Sequence, residues 1–245
     1  MSFYESIAPW YNYIFPFSPI QVSFIERKAG SLKAKNVVDI GCGIGSLSFG
    51  MADRGASVEA IDLDPFMILK AREQSCNFGN SARVLFKELN MLKLSKEFKA
   101  QSVDVVVSFG NTLVHLLKPG ELLSFFNQVA SILKPEGKFI FQIINYDFVL
   151  DHGVDRLPDI ENDTIHFRRL YEFREQDELI NFKTILTIKE SNKKIENVVP
   201  LQPVRADMLK MLFKESLFFD VEFFGDFDGS PLLSRSMKLI GVAAF

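Results

Sequence analysis

The stretch Val37-Val38-Asp39-Ile40-Gly41-Cys42-Gly43-Ile44-Gly45 sets three glycines at alternate positions after an apolar, β-branched run, with an acid two residues ahead of the first. Glycines permit a sharp turn and let a ligand approach the backbone without meeting a Cβ. The spacing is G-x-G-x-G, not the G-x-G-x-x-G that brings a pyrophosphate onto a helix N-terminus. A carboxylate at the strand end, Asp39, suits a ligand carrying a cation, such as an amino-acid ammonium. A second acid, Asp62, ends the run Val58-Glu59-Ala60-Ile61-Asp62-Leu63. It lies about 20 residues beyond the first glycine, where a carboxylate can accept both hydroxyls of a ribose and repels a 2′-phosphate. Asp64, directly before Pro65, is the expected N-cap of the following helix.

Regular elements must hold these residues in place. Short β-branched runs at 37–40, 58–63, 83–89, 103–109 and 138–144 alternate with segments of helical period at 46–52, 65–74 and 121–133. That is the pattern of a parallel sheet flanked by helices. A helix over 20–32 precedes the first strand. Beyond Ile144, residues 164–173 and 179–189 alternate apolar and polar side chains around Arg174-Glu175-Gln176-Asp177, which predicts an antiparallel hairpin interrupting the series. A helix over 206–218 and strands over 220–224 and 237–244 follow. The 25 phenylalanines read chiefly as core filling.

Composition narrows the class. The 245 residues are 47% hydrophobic and 24% charged, with 28 basic against 31 acidic side chains and a net charge of -3. Such a chain makes one sizeable core, and it has no general positive field for neutralising phosphates, so no nucleic-acid partner is expected. Cys42 and Cys76 are its two cysteines, too few for a structural zinc site, and both are expected to stay reduced. The N-terminal segment lacks a basic leader and is broken by Pro9, Pro16 and Pro19, and no apolar stretch approaches the length of a membrane span. A soluble, cytoplasmic protein without metal or membrane partner is the expectation.

With Asp39, Gly41, Gly43, Gly45 and Asp62 in these places, the chain resembles the class I S-adenosylmethionine-dependent methyltransferases over most of its length. The resemblance implies a Rossmann-like α/β fold. Its sheet has seven mostly parallel strands, the last antiparallel, with helices on both faces and the β-hairpin inserted after strand five. It also implies S-adenosyl-L-methionine as cofactor, S-adenosyl-L-homocysteine as product, and a cofactor site containing Asp39, Gly41, Cys42, Gly43, Gly45, Asp62, Leu63, Met67, Ser108 and Gly110. Asn90-Met91 falls where the family sets a polar and an apolar residue against the adenine, and Tyr11, beside Trp10 and Tyr13, belongs to a segment that closes over the cofactor. The corresponding parts are a helical cap (1–35), a cofactor-binding core (36–144), a β insertion serving as substrate lid (145–204) and a C-terminal helix with two strands (205–245), all one domain.

A narrower likeness, to the glycine and sarcosine N-methyltransferase group, rests on Gly110-Asn111-Thr112-Leu113-Val114-His115-Leu116 and Asn145-Tyr146-Asp147-Phe148-Val149-Leu150, with Gly225-Asp226-Phe227 adding to it. It implies a small-molecule substrate, methylated at nitrogen, with Asn111 touching it. Ile144 stands where glycine-specific members of that group have an arginine that holds the substrate carboxylate. Arg168, Arg169 and Arg174 are the other cations available, and the alternation of the hairpin sets them toward solvent. His115 could take the acceptor's proton or simply pack at a helix start; Tyr146 could orient the acceptor or plug the core. The rival readings are a nicotinamide-dependent oxidoreductase and a noncatalytic cofactor-binding protein with the same fold.

Overall fold

The structure, a computed structural model, describes residues 3–76, 78, 79, 83–174, 176 and 178–244. It opens with short helices α1 (Phe3–Ile7) and α2 (Tyr11–Ile14), joined by a 3-10 turn at Ala8–Trp10, and with α3 (Pro19–Ala29), which stops at Gly30 in a positive-φ conformation. Then come β1 (Asn36–Ile40), α4 (Ser46–Asp53), β2 (Ser57–Asp62), α5 (Pro65–Ser75), β3 (Val84–Glu88), α6 (Leu94–Glu97), β4 (Val103–Ser108), α7 (Glu121–Ile132) and β5 (Leu133–Ile144). The chain continues through α8 (Tyr146–Asp151) into β6 (Arg156–Glu161), β7 (Ile165–Phe173), β8 (Ile180–Ile188) and β9 (Lys193–Leu201), and ends with α9 (Ala206–Glu215), β10 (Asp220–Phe224) and β11 (Lys238–Ala244).

The main sheet runs β10-β11-β5-β4-β1-β2-β3. Strands β1 to β5 are parallel, and β11 lies antiparallel between β5 and β10. This is the expected seven-stranded Rossmann-like sheet with an antiparallel last strand. The central strands are apolar on both faces because helices cover both. On one face Phe125 and Phe126 of α7, Phe139 and Phe141 of β5 and Phe213 of α9 form a buried aromatic pile, with the Phe126 and Phe213 rings stacked 4.3 Å apart. Core filling describes these phenylalanines; Phe219, 89% exposed, departs from it. The reversal of order between β4 and β1 opens a crevice at the strand ends, the usual ligand position in such sheets.

The insertion is larger than a hairpin. Strands β7 and β8 are the expected pair, but β6 and β9 flank them in a four-stranded antiparallel sheet. Glu175 and Asp177 of the expected turn lie outside the described residues. Asn145 caps α8, accepting the Asp147 N–H at 3.2 Å, and Arg205 binds Asp147 and Asp151 at 2.7 and 2.8 Å, fastening α8 to the start of α9. The N-terminal segment ties the insertion to the core. Ile7 and Ile14 pack against Ile165, Phe167 and Leu186, the Asn197 amide donates to the Ser6 hydroxyl (3.0 Å), and the Asn162 amide donates to the Tyr13 carbonyl (2.9 Å).

Candidate active site

Beyond Ile40 the chain turns through Gly41, Gly43 and Gly45 with φ of 71°, 56° and 86°. Left-handed geometry of this kind costs a residue with a Cβ about 1 kcal/mol or more. The turn is stitched from within. Gly41 and Cys42 donate their N–H groups to the Ile61 carbonyl (2.8 and 3.0 Å), Gly43 to Asp62 Oδ2 (2.8 Å), and Gly45 to the Cys42 carbonyl (3.0 Å). Those amides are the donors a phosphate would need, so this loop is a poor seat for a pyrophosphate. Asp62 also accepts the Asp64 N–H at 2.9 Å through Oδ1, and each of its oxygens keeps a further lone pair. Burial pushes its carboxyl above the usual range despite those bonds. Asp64 caps α5 as expected, accepting from Phe66 N–H (2.9 Å) and Met67 N–H (3.3 Å).

Asp39 is 2% exposed; its partner is the Ser48 hydroxyl, at 2.5 Å. Burial raises its pKa to about 7, outweighing that hydrogen bond. A carboxyl so placed gains most from a cation brought beside it.

Two hollows flank the strand ends. The smaller, about 300 Å³, is walled by Gly43, Asp62, Leu63, Asn90 and Met91; the larger, about 430 Å³, extends from Asp39 and Cys42 past Asn111 and Ile144 to Arg169 and Tyr171 of the insertion. They share Tyr4, Tyr11, Gly41, Phe109, Gly110 and His115. Gly110 has φ of 80°, and a Cβ built on it meets nothing within 4 Å, so the backbone here borders open space. A Cβ on Gly43 would come within 3.2 Å of the Tyr11 hydroxyl, which roofs the loop. Tyr4 Oη lies 2.9 Å from His115 Nε2. Burial lowers the His115 pKa and raises that of Tyr4 well above its ordinary value, which keeps the ring neutral and the phenol protonated.

Residues 37–137 match the family described as "Methyltransferase domain". That matched segment, from β1 into β5, is similar to methyltransferase domains. The chain is 31% identical over 130 residues to the ubiquinone biosynthesis O-methyltransferase of Acinetobacter baumannii (strain ACICU), covering 52% of each chain. It spans 52 to 60% of the length of the curated relatives it matches first. The CcbJ methyltransferase of Streptomyces caelestis shares its fold with a TM-score of 0.82 at 22% identity, over 98% of this chain and 96% of that one. The amino pentose methyltransferase CalS10 of Micromonospora echinaspora, solved with S-adenosylmethionine bound, shares it with a TM-score of 0.69 at 15% identity, over 94% and 92%.

Around the two hollows most of the expected residues converge. Asp39, Gly41, Cys42, Gly43, Asp62, Leu63, Asn90, Met91, Gly110, Asn111, His115 and Tyr11 all border one or both hollows. Four stand behind the wall. Gly45 closes the loop, the Ser108 hydroxyl donates to the Ile40 carbonyl at 3.1 Å, Met67 is buried with Ala8 and Ile44, and Tyr146 is fully buried. Asn111 is occupied on both ends of its amide: Nδ2 donates to the Tyr146 hydroxyl (3.0 Å) and Oδ1 accepts the Ile144 N–H (2.9 Å). Gln142 completes the clasp, its Oε1 accepting the Gly110 N–H at 3.0 Å. The Asn90 Oδ1 accepts the Leu92 N–H at 2.8 Å, which leaves its amide N–H groups for a ligand. Burial holds the Cys42 thiol protonated. Arg169 corrects the expected solvent-facing position, since it borders the larger hollow. Tyr4 and Gln142 are additions; the only signal for Tyr4 in the sequence is its place among N-terminal aromatics.

Proposed function

We propose that this chain transfers a methyl group from S-adenosylmethionine to a nitrogen of a small-molecule acceptor. The carrying observation is the pair of hollows that meet at Gly110, one bearing the ribose-type acid Asp62 and the other free for a second molecule. When bound, the cofactor supplies a methyl already activated by its sulfonium charge, open to in-line attack by a lone pair. The chain's own residues then have to place and shield. Asp62 is set to take the ribose hydroxyls, Asn90 and Met91 the base, and Asp39 the cationic end, where a positive charge pulls its pKa of about 7 back down. Gly110, without a side chain, leaves the line of approach clear, and alignment of this kind contributes roughly 7 to 11 kcal/mol to such reactions.

A protonated amine must lose its proton before its lone pair can react. Tyr4 Oη can accept that proton while passing its own to His115 Nε2, 2.9 Å away, which leaves an imidazolium and a neutral amine. An imidazole whose pKa is lowered by burial is a weak base: it can relay a proton leaving an ammonium, and it is far too weak to ionise an alcohol. The likeness to an amino pentose methyltransferase supports the same reading, and the likeness to an O-methyltransferase makes oxygen the second one. Parallel calorimetric titration with S-adenosylmethionine and NAD tests the cofactor; binding of NAD alone refutes the proposal. Product analysis over amines, phenols and carboxylates tests the acceptor. Methylation of phenols and of no amine refutes nitrogen, and binding without any turnover favours a cofactor-binding protein.

A further inference from the structure

The insertion sheet contributes Leu157, Arg169, Tyr171, Phe182 and Leu201 to the larger hollow. On β7 the residues Ile165, Phe167, Arg169 and Tyr171 share one face by strand alternation, and three of them are buried, so Arg169 turns inward with them. Its Nη2 donates to the Pro158 carbonyl at 2.7 Å, while its Nε is buried without a partner. Tyr171, 3% exposed, has its hydroxyl beside that of Tyr146, the two rings 6.2 Å apart. Asp159, the acid whose charge reaches Arg169, is taken up by Arg156 and His166 at 2.6 and 2.7 Å. Arg169 forms no ion pair among the described residues.

A half-buried guanidinium facing no carboxylate, its Nε without a partner, beside a buried phenol whose neighbour is another phenol, is a costly arrangement unless a ligand completes it. We infer that Arg169 and Tyr171 form a binding site for a carboxylate carried by the acceptor, the Arg169 Nε–H and the Tyr171 hydroxyl donating to its oxygens. This rests on reading the larger hollow as the acceptor's. One guanidinium neutralises one negative charge, so a monoanion fits, whereas a phosphate dianion would stay negative among Leu157, Phe182 and Leu201. Those apolar neighbours suit an aliphatic or aromatic body. The acceptor class is therefore an apolar amino acid or a similar amine-bearing acid, with Arg169 doing from the insertion what Ile144 cannot do from the end of β5.

The test uses protein loaded with S-adenosylhomocysteine, titrated with L-leucine, L-phenylalanine and their neutral amides. The acids are expected to bind roughly 30-fold more tightly than the amides, the scale of hydrogen bonds to a charged group. Arg169→Met is expected to abolish that preference, Arg169→Lys to restore part of it, and Tyr171→Phe to weaken acid binding about fivefold. Affinity for S-adenosylhomocysteine, measured alongside, reports on the integrity of each variant and stays unchanged. Equal binding of acid and amide by the wild-type protein, no binding of either acid, or an acid preference that survives in Arg169→Met overturns the site. Failure of the wild-type protein to bind S-adenosylhomocysteine at all refutes the methyl-transfer reading instead.

Discussion

The strand-end cradle and the insertion sheet treat their polar groups in opposite ways. In the cradle the loop amides of Gly41, Cys42, Gly43 and Gly45 are satisfied, and both oxygens of Asp62 have a partner before any ligand arrives. On the inner face of the insertion, Arg169 Nε and Thr184 Oγ1 are buried and have none, and Tyr171 Oη has only the Tyr146 hydroxyl beside it. A satisfied cradle keeps its shape whatever it holds and presents the same geometry each time. An unsatisfied wall is complete only around a molecule that supplies the missing acceptors, so selectivity resides there. Asp39 is the cradle's exception, a buried acid awaiting a cation.

That exception gives the largest expected effect. With a folded pKa of about 7 against the ordinary value near 3.8, Asp39 holds its proton more tightly when folded. Its stabilising share is complete below pH 4 and is lost as pH rises through 7. Asp39→Asn removes this penalty and is expected to stabilise the ligand-free protein by about 2 to 4 kcal/mol at pH 8 in denaturant unfolding, while weakening S-adenosylmethionine roughly tenfold or more. In the wild-type protein a cationic ligand lowers the Asp39 pKa, so binding releases a proton and tightens with pH up to about 7. Calorimetry in buffers of different ionisation enthalpy reads that proton, and its absence removes Asp39 from the ligand site.

Next comes Gly110→Val. A Cβ there meets no protein atom within 4 Å, although φ of 80° strains a β-branched residue, so unfolding is measured beside turnover; the side chain intrudes where the hollows join, and misplacing reactants by an ångström costs on the order of 100-fold in turnover. Unchanged turnover separates the hollows functionally. Asp62→Ala is expected to weaken the cofactor by about 1 to 3 kcal/mol in the same titrations, the scale of lost charged hydrogen bonds. The smallest effect sharpens the contrast from the other side. Thr184→Val deletes one unsatisfied hydroxyl at constant shape, and thermal unfolding is expected to show about 1 kcal/mol of stabilisation. A loss of stability would mean that this hydroxyl is satisfied after all.

The cradle was legible because it is local. The glycine spacing, the acid ending each strand and Asp64 before Pro65 declare their geometry within a few residues, and the five parallel strands follow from their β-branched runs. The insertion hid two of its four strands. Both β6 and β9 lie at the sheet's edges, where Pro158 and Pro200 and a run of solvent-facing charges are tolerated and blur the two-residue period. Arg169 was misassigned although the cue was present, since it shares the parity of Ile165, Phe167 and Tyr171; the neighbouring Arg168 made the pair read as a polar surface. Nothing local marks Tyr4 as the partner of His115, which lies 111 residues away. Nor does the sequence disclose that Asn111 spends its amide bracing Ile144 and Tyr146.

The N-terminal stretch is pinned in three places: to His115 through Tyr4, to β9 through Ser6, and to the turn after β6 through Tyr13. A strap held this way makes distant parts mechanically one. If the insertion sheet shifts, Asn197 and Asn162 drag the strap along, and the phenol beside the histidine moves with it. The histidine bordering both hollows is thus tied through the strap to the sheet that walls the larger one.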